Sequence, residues 1–340
     1  MAHRVRITQF ERDIEVETGE TILGAALEAG LDYPFMCQQG QCGSCRSFLL
    51  EGEVDLGNIY NPMVLTDAER ARGFILACQA RPRGDCVVSI AEFGGVVSHP
   101  VRTLDCVVVA RVPAAPDIVI LRLEPMGGGT LIFSAGQYAT LTFPGLPPTD
   151  YSMANRPDET VLEFHIQRLP GGRVSEHVTT RIAVGDRVAA RGPFGTAYLR
   201  EEHLGPILLA AGGTGLAPLQ SIVTTALAMG LTQRLHLYIG AREPAGLYRE
   251  EWLRDLAARH RNLILIPAVS EAGGDARRRH GNVSDLIAAD FSDLGAFQAY
   301  IAGPPAHCDA VRRVCLTRAL PAEACFIDPF IPREPDQRSD

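Results

Sequence analysis

Three cysteines, Cys37, Cys42 and Cys45, stand in the spacing C-x4-C-x2-C, and a fourth, Cys78, follows in the tetrapeptide LACQ. Thiolates are soft anionic ligands. Three of them from one irregular loop, plus one distant anchor, make the ligand set of a plant-type [2Fe–2S] cluster. Gly40 and Gly43 supply the tight turns such wrapping needs and let backbone N–H groups approach the sulfur atoms. Zinc is the competing reading for Cys42 and Cys45, but a structural zinc site presents a second close Cys or His pair, and none follows here. A Rieske centre needs His in place of two Cys, and neither C-x-H nor C-x2-H occurs. Cys86, Cys106, Cys308, Cys315 and Cys325 sit in apolar surroundings and read as small buried hydrophobes. The nine His show no metal-ligand spacing and read as structural or surface side chains.

A second stretch with chemistry in it is residues 210–218, AAGGTGLAP, which follows an apolar run and opens a helix-length segment. Gly213, Thr214 and Gly215 allow close backbone approach, and a helix N-terminus offers unpaired N–H groups and a positive dipole end to a pyrophosphate. Tight strand-to-helix turns also exist without ligands, so this turn alone is a weak signal.

Holding such groups in place takes folded modules, and 340 residues at 46% hydrophobic suffice for two or three. All 32 basic residues are Arg. The absence of Lys excludes Schiff-base aldolases, pyridoxal enzymes and Walker-A phosphate binders, which need a flexible ammonium group. A net charge of −8 lacks the cationic surface that nucleic acid requires. The acid is uneven: residues 1–95 carry 8 Arg against 14 Asp and Glu, residues 102–200 carry 10 against 9, and residues 201–340 carry 14 against 17. The acidic first segment suits docking to a basic patch on a partner. The N-terminus is charged and alternating, with no apolar signal region, so a cytoplasmic protein is expected. The long uncharged stretch 204–233 is broken by seven Gly and Pro, which favours a strand, a turn and an apolar helix over a membrane span.

The periodicity divides the chain into three modules. Residues 5–10 and 13–17 read as a hairpin, and residues 21–29 as a helix capped by Thr21 and closed by Gly30. From residue 103 to about 200, apolar runs such as CVVVARV, DIVILRL, QYATLTF, TVLEFHI and DRVAARG are cut by Gly and Pro, an all-β signature of a barrel or sandwich. After Pro206, continuous apolar runs alternate with helix-length segments, as in a parallel sheet covered on both faces. The boundaries expected are 1–93, a linker at 94–101, 102–202 and 203–340.

Taken in order, these motifs resemble the electron-transfer reductase components of bacterial aromatic-ring-hydroxylating dioxygenases over residues 3–332. The resemblance implies a multidomain α+β protein: a β-grasp [2Fe–2S] ferredoxin, an antiparallel β-barrel flavin domain and an α/β parallel-sheet nicotinamide domain. The family's R-x-Y-S motif falls on Thr149-Asp150-Tyr151-Ser152, so Tyr151 would pack on the flavin and Ser152 would lie near the flavin N5. In HIQRLPGGRVS, Gly172, Arg173, Val174 and Ser175 would begin a helix aimed at the FAD pyrophosphate. Gly213, Thr214, Gly215 and Pro218 match the family's dinucleotide turn, Gly240 and Arg242 its adenosine-ribose segment, and Gly303 and Pro304 its turn beside the nicotinamide. Asp328 and Phe330 match its C-terminal acid-x-aromatic element, with Phe330 as a placeholder that nicotinamide displaces. Two departures stand out: Thr149 replaces the family's Arg, and Ala302 its Cys. Arg156 or Arg173 is expected to supply the missing cation.

The activity implied is NAD(P)H-dependent: a hydride enters FAD as an electron pair and single electrons leave through the cluster to a ferredoxin or terminal oxygenase. Glu243, beside Arg242, would repel a 2′-phosphate and favours NADH over the alternative NADPH. The protein is expected to be a monomer that binds neither nucleic acid nor membrane. The competing assignments are a monooxygenase reductase component and a stand-alone flavin or ferric reductase.

Overall fold

The computed structural model describes residues 2–91, 97, 99–271 and 277–331, so most of the linker expected at 94–101 lies outside the described residues. The chain divides into two compact units, Met1–Ser98 and His99–Asp340.

The first unit has one five-stranded sheet built from β1 (Ala2–Ile7), β2 (Arg12–Glu17), β3 (Arg46–Glu51), β5 (Phe74–Leu76) and β7 (Cys86–Ile90), in the order β2-β1-β7-β3-β5. A small pair, β4 (Val54–Asp55) and β6 (Arg81–Pro82), and the short helix α2 (Asp67–Arg70) complete it. The helix α1 (Ile22–Glu28) starts as expected, with the Thr21 hydroxyl accepting from the Gly24 amide, and it ends before Gly30 at φ 72°. It buries Ile22, Leu23, Ala25 and Ala26. The alternating strands turn Val5, Ile7, Ile14, Val16, Val88 and Ile90 inward, where they are buried as well. This is the β-grasp arrangement of a sheet holding one helix.

The second unit opens with six antiparallel strands: β8 (Arg102–Ala115), β9 (Ile118–Pro125), β10 (Tyr138–Thr142), β11 (Thr149–Ser152), β12 (Leu162–Gln167) and β13 (Arg187–Phe194). Their order is β11-β10-β13-β8-β9-β12, and a bridge between Met153 and Phe164 joins the two ends, closing the sheet into a barrel. Val108, Leu121, Leu123, Leu141, Phe143 and Phe164 fill it, and α3 (Arg173–Thr180) covers it with Val174 and Val178.

The parallel sheet follows: β14 (Ile207–Gly212), β15 (Leu235–Ala241), β16 (Leu263–Val269), β17 (Arg279–His280), β18 (Gln298–Gly303) and β19 (Cys325–Pro329), in the order β17-β16-β15-β14-β18-β19. Helices α4 (Leu216–Ala228) and α5 (Glu250–Arg259) belong to one face, α6 (Val283–Asp290) and α7 (Pro305–Thr317) to the other. The run ILLAA is continuous because both faces are covered: Ile207, Leu209 and Ala211 join the first core, Leu208 and Ala210 the second. The stretch 204–233 is thus strand, turn and helix, and no helix among the described residues is long and apolar enough to cross a membrane. Cys86, Cys106, Cys308 and Cys315 are buried as expected, whereas Cys325 is only half-buried.

Candidate functional site

In the first unit, the loop between α1 and β3 carries Cys37, Cys42 and Cys45. Pairing of β3 with β5 (Arg46 opposite Leu76) then brings Cys78 to them. The four thiols meet as two pairs: Cys37 with Cys42 and Cys45 with Cys78, each joined by a hydrogen bond between the side chains. That bond raises the pKa of Cys37 and lowers that of Cys42 to about 6. It likewise raises Cys45 and lowers Cys78. Backbone amides converge on the sulfurs: Gln39 and Gln41 donate to Cys37 Sγ at 3.4 and 3.3 Å, Gly40 to Cys78 Sγ at 3.3 Å, and Cys37 to Cys42 Sγ at 3.5 Å. Donors aimed at sulfur stabilise thiolate and lower the charge felt by a ligated metal. Gly40 (φ 70°) and Gly43 (φ 84°) are required twice over, since a Cβ at either would also crowd Tyr60 or Val64. Four thiols brought together from one loop and one distant turn, with backbone amides aimed at their sulfurs, fit an iron–sulfur group.

In the second unit, Tyr151 and Ser152 end β11, and Ser152 Oγ donates to Asp328 Oδ2 at 2.9 Å in a buried contact. Asp328 lies on β19, opposite Ala302 of β18, and the next turn is pinned by Phe330 N donating to Gly303 O at 2.8 Å. Ser152, Asp328, Gly303 and Phe330 therefore share one place. Burial, with Asp150 adding to it, raises the Tyr151 phenol and keeps it neutral.

The turn Gly213–Gly215 leads into α4 with no side-chain cap at Gly215, which leaves the first amides without a side-chain partner. Its backbone packs directly on the Ala302–Gly303 turn: a Cβ on Gly215 would fall on the Ala302 carbonyl and the Gly303 amide. Gly215→Ala is therefore expected to cost about 1–3 kcal/mol of stability by overpacking. A melting scan checks this, and an unchanged variant would contradict this packing.

Helix α3 likewise begins at Gly172 without a side-chain cap. Ser175 Oγ is engaged with the backbone, accepting from Leu169 N at 3.1 Å and donating to Gly172 O at 3.1 Å. Val174 is buried. Of the two cations expected to replace the family's Arg at Thr149, Arg156 is tied to Asp158 through both Nε (2.8 Å) and Nη2 (3.1 Å). Arg173 is exposed at the helix start with no ion pair or hydrogen bond among the described residues, so it is the available cation. An uncapped helix start beside a free guanidinium fits a pyrophosphate. In the ribose segment, Gly240 packs against Val283, and Arg242, at the end of β15, faces Glu271 at 3.7 Å. Pro304 caps α7, and Pro218 is buried in the first turn of α4.

The sequence did not single out Glu163. This carboxylate is buried on β12 and accepts from Arg249 Nη2 (2.5 Å), Arg122 Nε (2.8 Å), Gln220 Nε2 (3.0 Å) and His165 Nε2 (3.1 Å). His165, also buried, reaches the Tyr248 hydroxyl through Nδ1 at 2.9 Å. The alternation in LEFHIQ marks a strand but says nothing of which donors arrive from 41, 57 and 86 residues away.

Burial holds the His165 pKa down, and the surrounding donors outweigh burial to hold Glu163 far below the usual carboxylate range. The unfolded imidazole takes up a proton near its ordinary 6.5, the folded one only at lower pH. Below that pH, stability falls by up to about 1.4 kcal/mol per unit for one missing proton. Glu163 acts in the same direction as pH drops below its ordinary 4.5. Denaturant unfolding from pH 8 to 4 should show this acid loss, weakened just below 6.5 in His165→Asn; the same slope in both would disprove it.

Residues 5–83 match the family described as 2Fe-2S iron-sulfur cluster binding domain, residues 105–198 the oxidoreductase FAD-binding domain, and residues 209–313 the oxidoreductase NAD-binding domain. The chain is 37% identical over 322 residues to the ferredoxin–NAD(P)(+) reductase component of the Pseudomonas putida naphthalene 1,2-dioxygenase system, covering 94% of this chain and 96% of that protein. It is 36% identical to the phenol 2-monooxygenase reductase component of Pseudomonas sp. strain CF600, over 97% of this chain and 95% of the other. Among solved structures it is similar to an Amycolatopsis cytochrome P450 reductase, at TM-score 0.79 and 35% identity, covering 97% and 99% of the two chains.

Proposed function

We infer the function of this chain from its family: it belongs to the NAD(P)H-dependent iron–sulfur flavoprotein reductase components of multicomponent oxygenases. It is an oxidoreductase with [2Fe–2S]-, FAD- and NAD-binding domains, serving a ferredoxin or oxygenase partner. The reading we favour is an NADH-dependent, cytoplasmic reductase of an aromatic-ring dioxygenase system, with module boundaries at 1–93, 102–202 and 203–340. The observation that carries it is the meeting of Ser152, from the flavin-motif strand, with Asp328, from the last strand of the nicotinamide sheet. Donor and acceptor sites then share one wall.

FAD when bound accepts a hydride and returns electrons one at a time, which reconciles a two-electron donor with a one-electron cluster. The residues do the positioning. The uncapped amides at Gly213–Gly215 and the start of α4 would hold one pyrophosphate, and the start of α3 with Arg173 would hold the other. Tyr151 supplies a neutral ring for stacking. Ser152, held by Asp328, would lie against the reacting edge of a bound flavin, and Phe330, pinned to Gly303, would be the ring that a nicotinamide has to displace. The two thiol pairs hold the iron group. A visible spectrum tests the reading: flavin and cluster absorption, both bleached by NADH, are expected, and the lack of either chromophore rejects it.

Glu243 and Glu271 flank Arg242 and set a negative field where a 2′-phosphate would lie. Replacing both acids by Ala should raise kcat/KM for NADPH by about tenfold relative to NADH, a difference of about 1.4 kcal/mol; an unmoved ratio would remove these acids from cofactor choice.

Likeness to the phenol 2-monooxygenase and cytochrome P450 reductases favours a second reading, a monooxygenase partner. Reconstitution with a purified Rieske dioxygenase and with a diiron or P450 monooxygenase separates the two by which forms product.

A further inference from the structure

Behind the flavin-motif strand, the barrel and the parallel sheet are joined through one buried carboxylate. The four groups that donate to Glu163 come from four segments: Arg122 from β9, His165 from β12, Gln220 from α4 and Arg249 from the turn before α5. Gln220 Nε2 also donates to Ala154 O at 3.0 Å, and its neighbour Ser221 Oγ donates to Asn155 O at 2.6 Å. Ala154 and Asn155 follow Ser152 by two and three residues, and α4 is the helix opened by the Gly213–Gly215 turn. We propose that Glu163 and Gln220 are positioning residues for hydride transfer, locking α4 and the dinucleotide turn to the strand that carries Tyr151 and Ser152. This rests on the flavin and nicotinamide assignments made above.

Two arguments carry the inference. First, one carboxylate satisfied by donors from four segments admits a single placement of those segments, a specificity that apolar packing does not impose. Second, the joint is costly in stability: Gln220 Oε1 is buried without a hydrogen-bond partner among the described residues, an orphan that a leucine would not create. A cavity of about 1030 Å³ opens beside the joint, lined by Arg122, Asn155, Glu163, Gln220, Arg249 and Trp252 among others, and none of the proposed cofactor residues lines it. The network therefore acts on the reacting groups through geometry, and an error of about 1 Å there costs about 100-fold in rate.

The test is Gln220→Leu, which removes both bonds at nearly constant volume. FAD content, melting temperature and KM for NADH should stay close to wild type. Single-turnover reduction of the flavin should slow about tenfold or more, the deuterium isotope effect with 4-deuterated NADH should change, and amides in 153–155 and 216–221 should exchange faster in the protein without nicotinamide. Unaltered reduction rate and exchange, or a lower melting temperature with an unaltered rate, would overturn the proposal by leaving Gln220 a purely structural side chain. If Gln220→Leu does not fold, Gln220→Asn, one methylene shorter, carries the same expectations. Wild-type protein that NADH does not bleach would sink the functional reading itself; a bleached wild type matched by Gln220→Leu sinks only this inference.

Discussion

Cys37→Ser should abolish electron delivery while leaving flavin chemistry in place. Cys37 Sγ receives two backbone amides and pairs with Cys42, so its loss removes one ligand and strands the donors that would support it. Loss of a residue that merely supports a metal ligand costs about 10–100-fold, and loss of the ligand costs no less, so transfer to a ferredoxin or oxygenase should fall by about 100-fold or more. NADH should still bleach the flavin within about twofold of the wild-type rate, because the cysteine loop and the flavin strand fold in separate compact units. Iron and acid-labile sulfide analysis, beside stopped-flow spectra at flavin and cluster wavelengths, checks both halves. Retained transfer to the protein acceptor would show that electrons leave by another route, and the two-module path would have to be abandoned.

Ser152→Ala should strike the other half of the path. The hydroxyl is buried and held at 2.9 Å by Asp328, so its hydrogen-bonding direction is set before any cofactor arrives. Removing it frees the edge where hydride is received and leaves the Asp328 carboxylate one donor short. Flavin reduction should slow by about 100-fold, with NADH binding little changed. Asp328→Asn keeps the size and one acceptor oxygen but removes the charge, and a loss nearer tenfold is expected. The decisive measurement is the single-turnover rate over a range of NADH concentrations: a raised KM at constant limiting rate would place both residues in binding and not in hydride transfer.

Much of this was legible in the residues alone, for reasons that differ from site to site. The gathering of the cysteines was readable because three of them lie within nine residues, and the geometry of such a loop is a local property of its spacing and its glycines. The sheets were readable because burial on one face or two leaves a period of two or a continuous apolar run, as in β2 against β14. The choice between Arg156 and Arg173 was not readable. Sequence proximity offered both, and only the fold placed Asp158 in bidentate reach of the first and left the second at an open helix start.

What the amino-acid sequence by itself determined is the chemistry each module carries and the order in which the modules come. What the tertiary structure decided is where those modules touch. Ser152 meets Asp328 across 176 positions, and Glu163 collects donors from 41, 57 and 86 positions away. Such contacts leave no periodic trace, because a hydrogen bond between distant segments depends on how two sheets pack and not on any repeat within either.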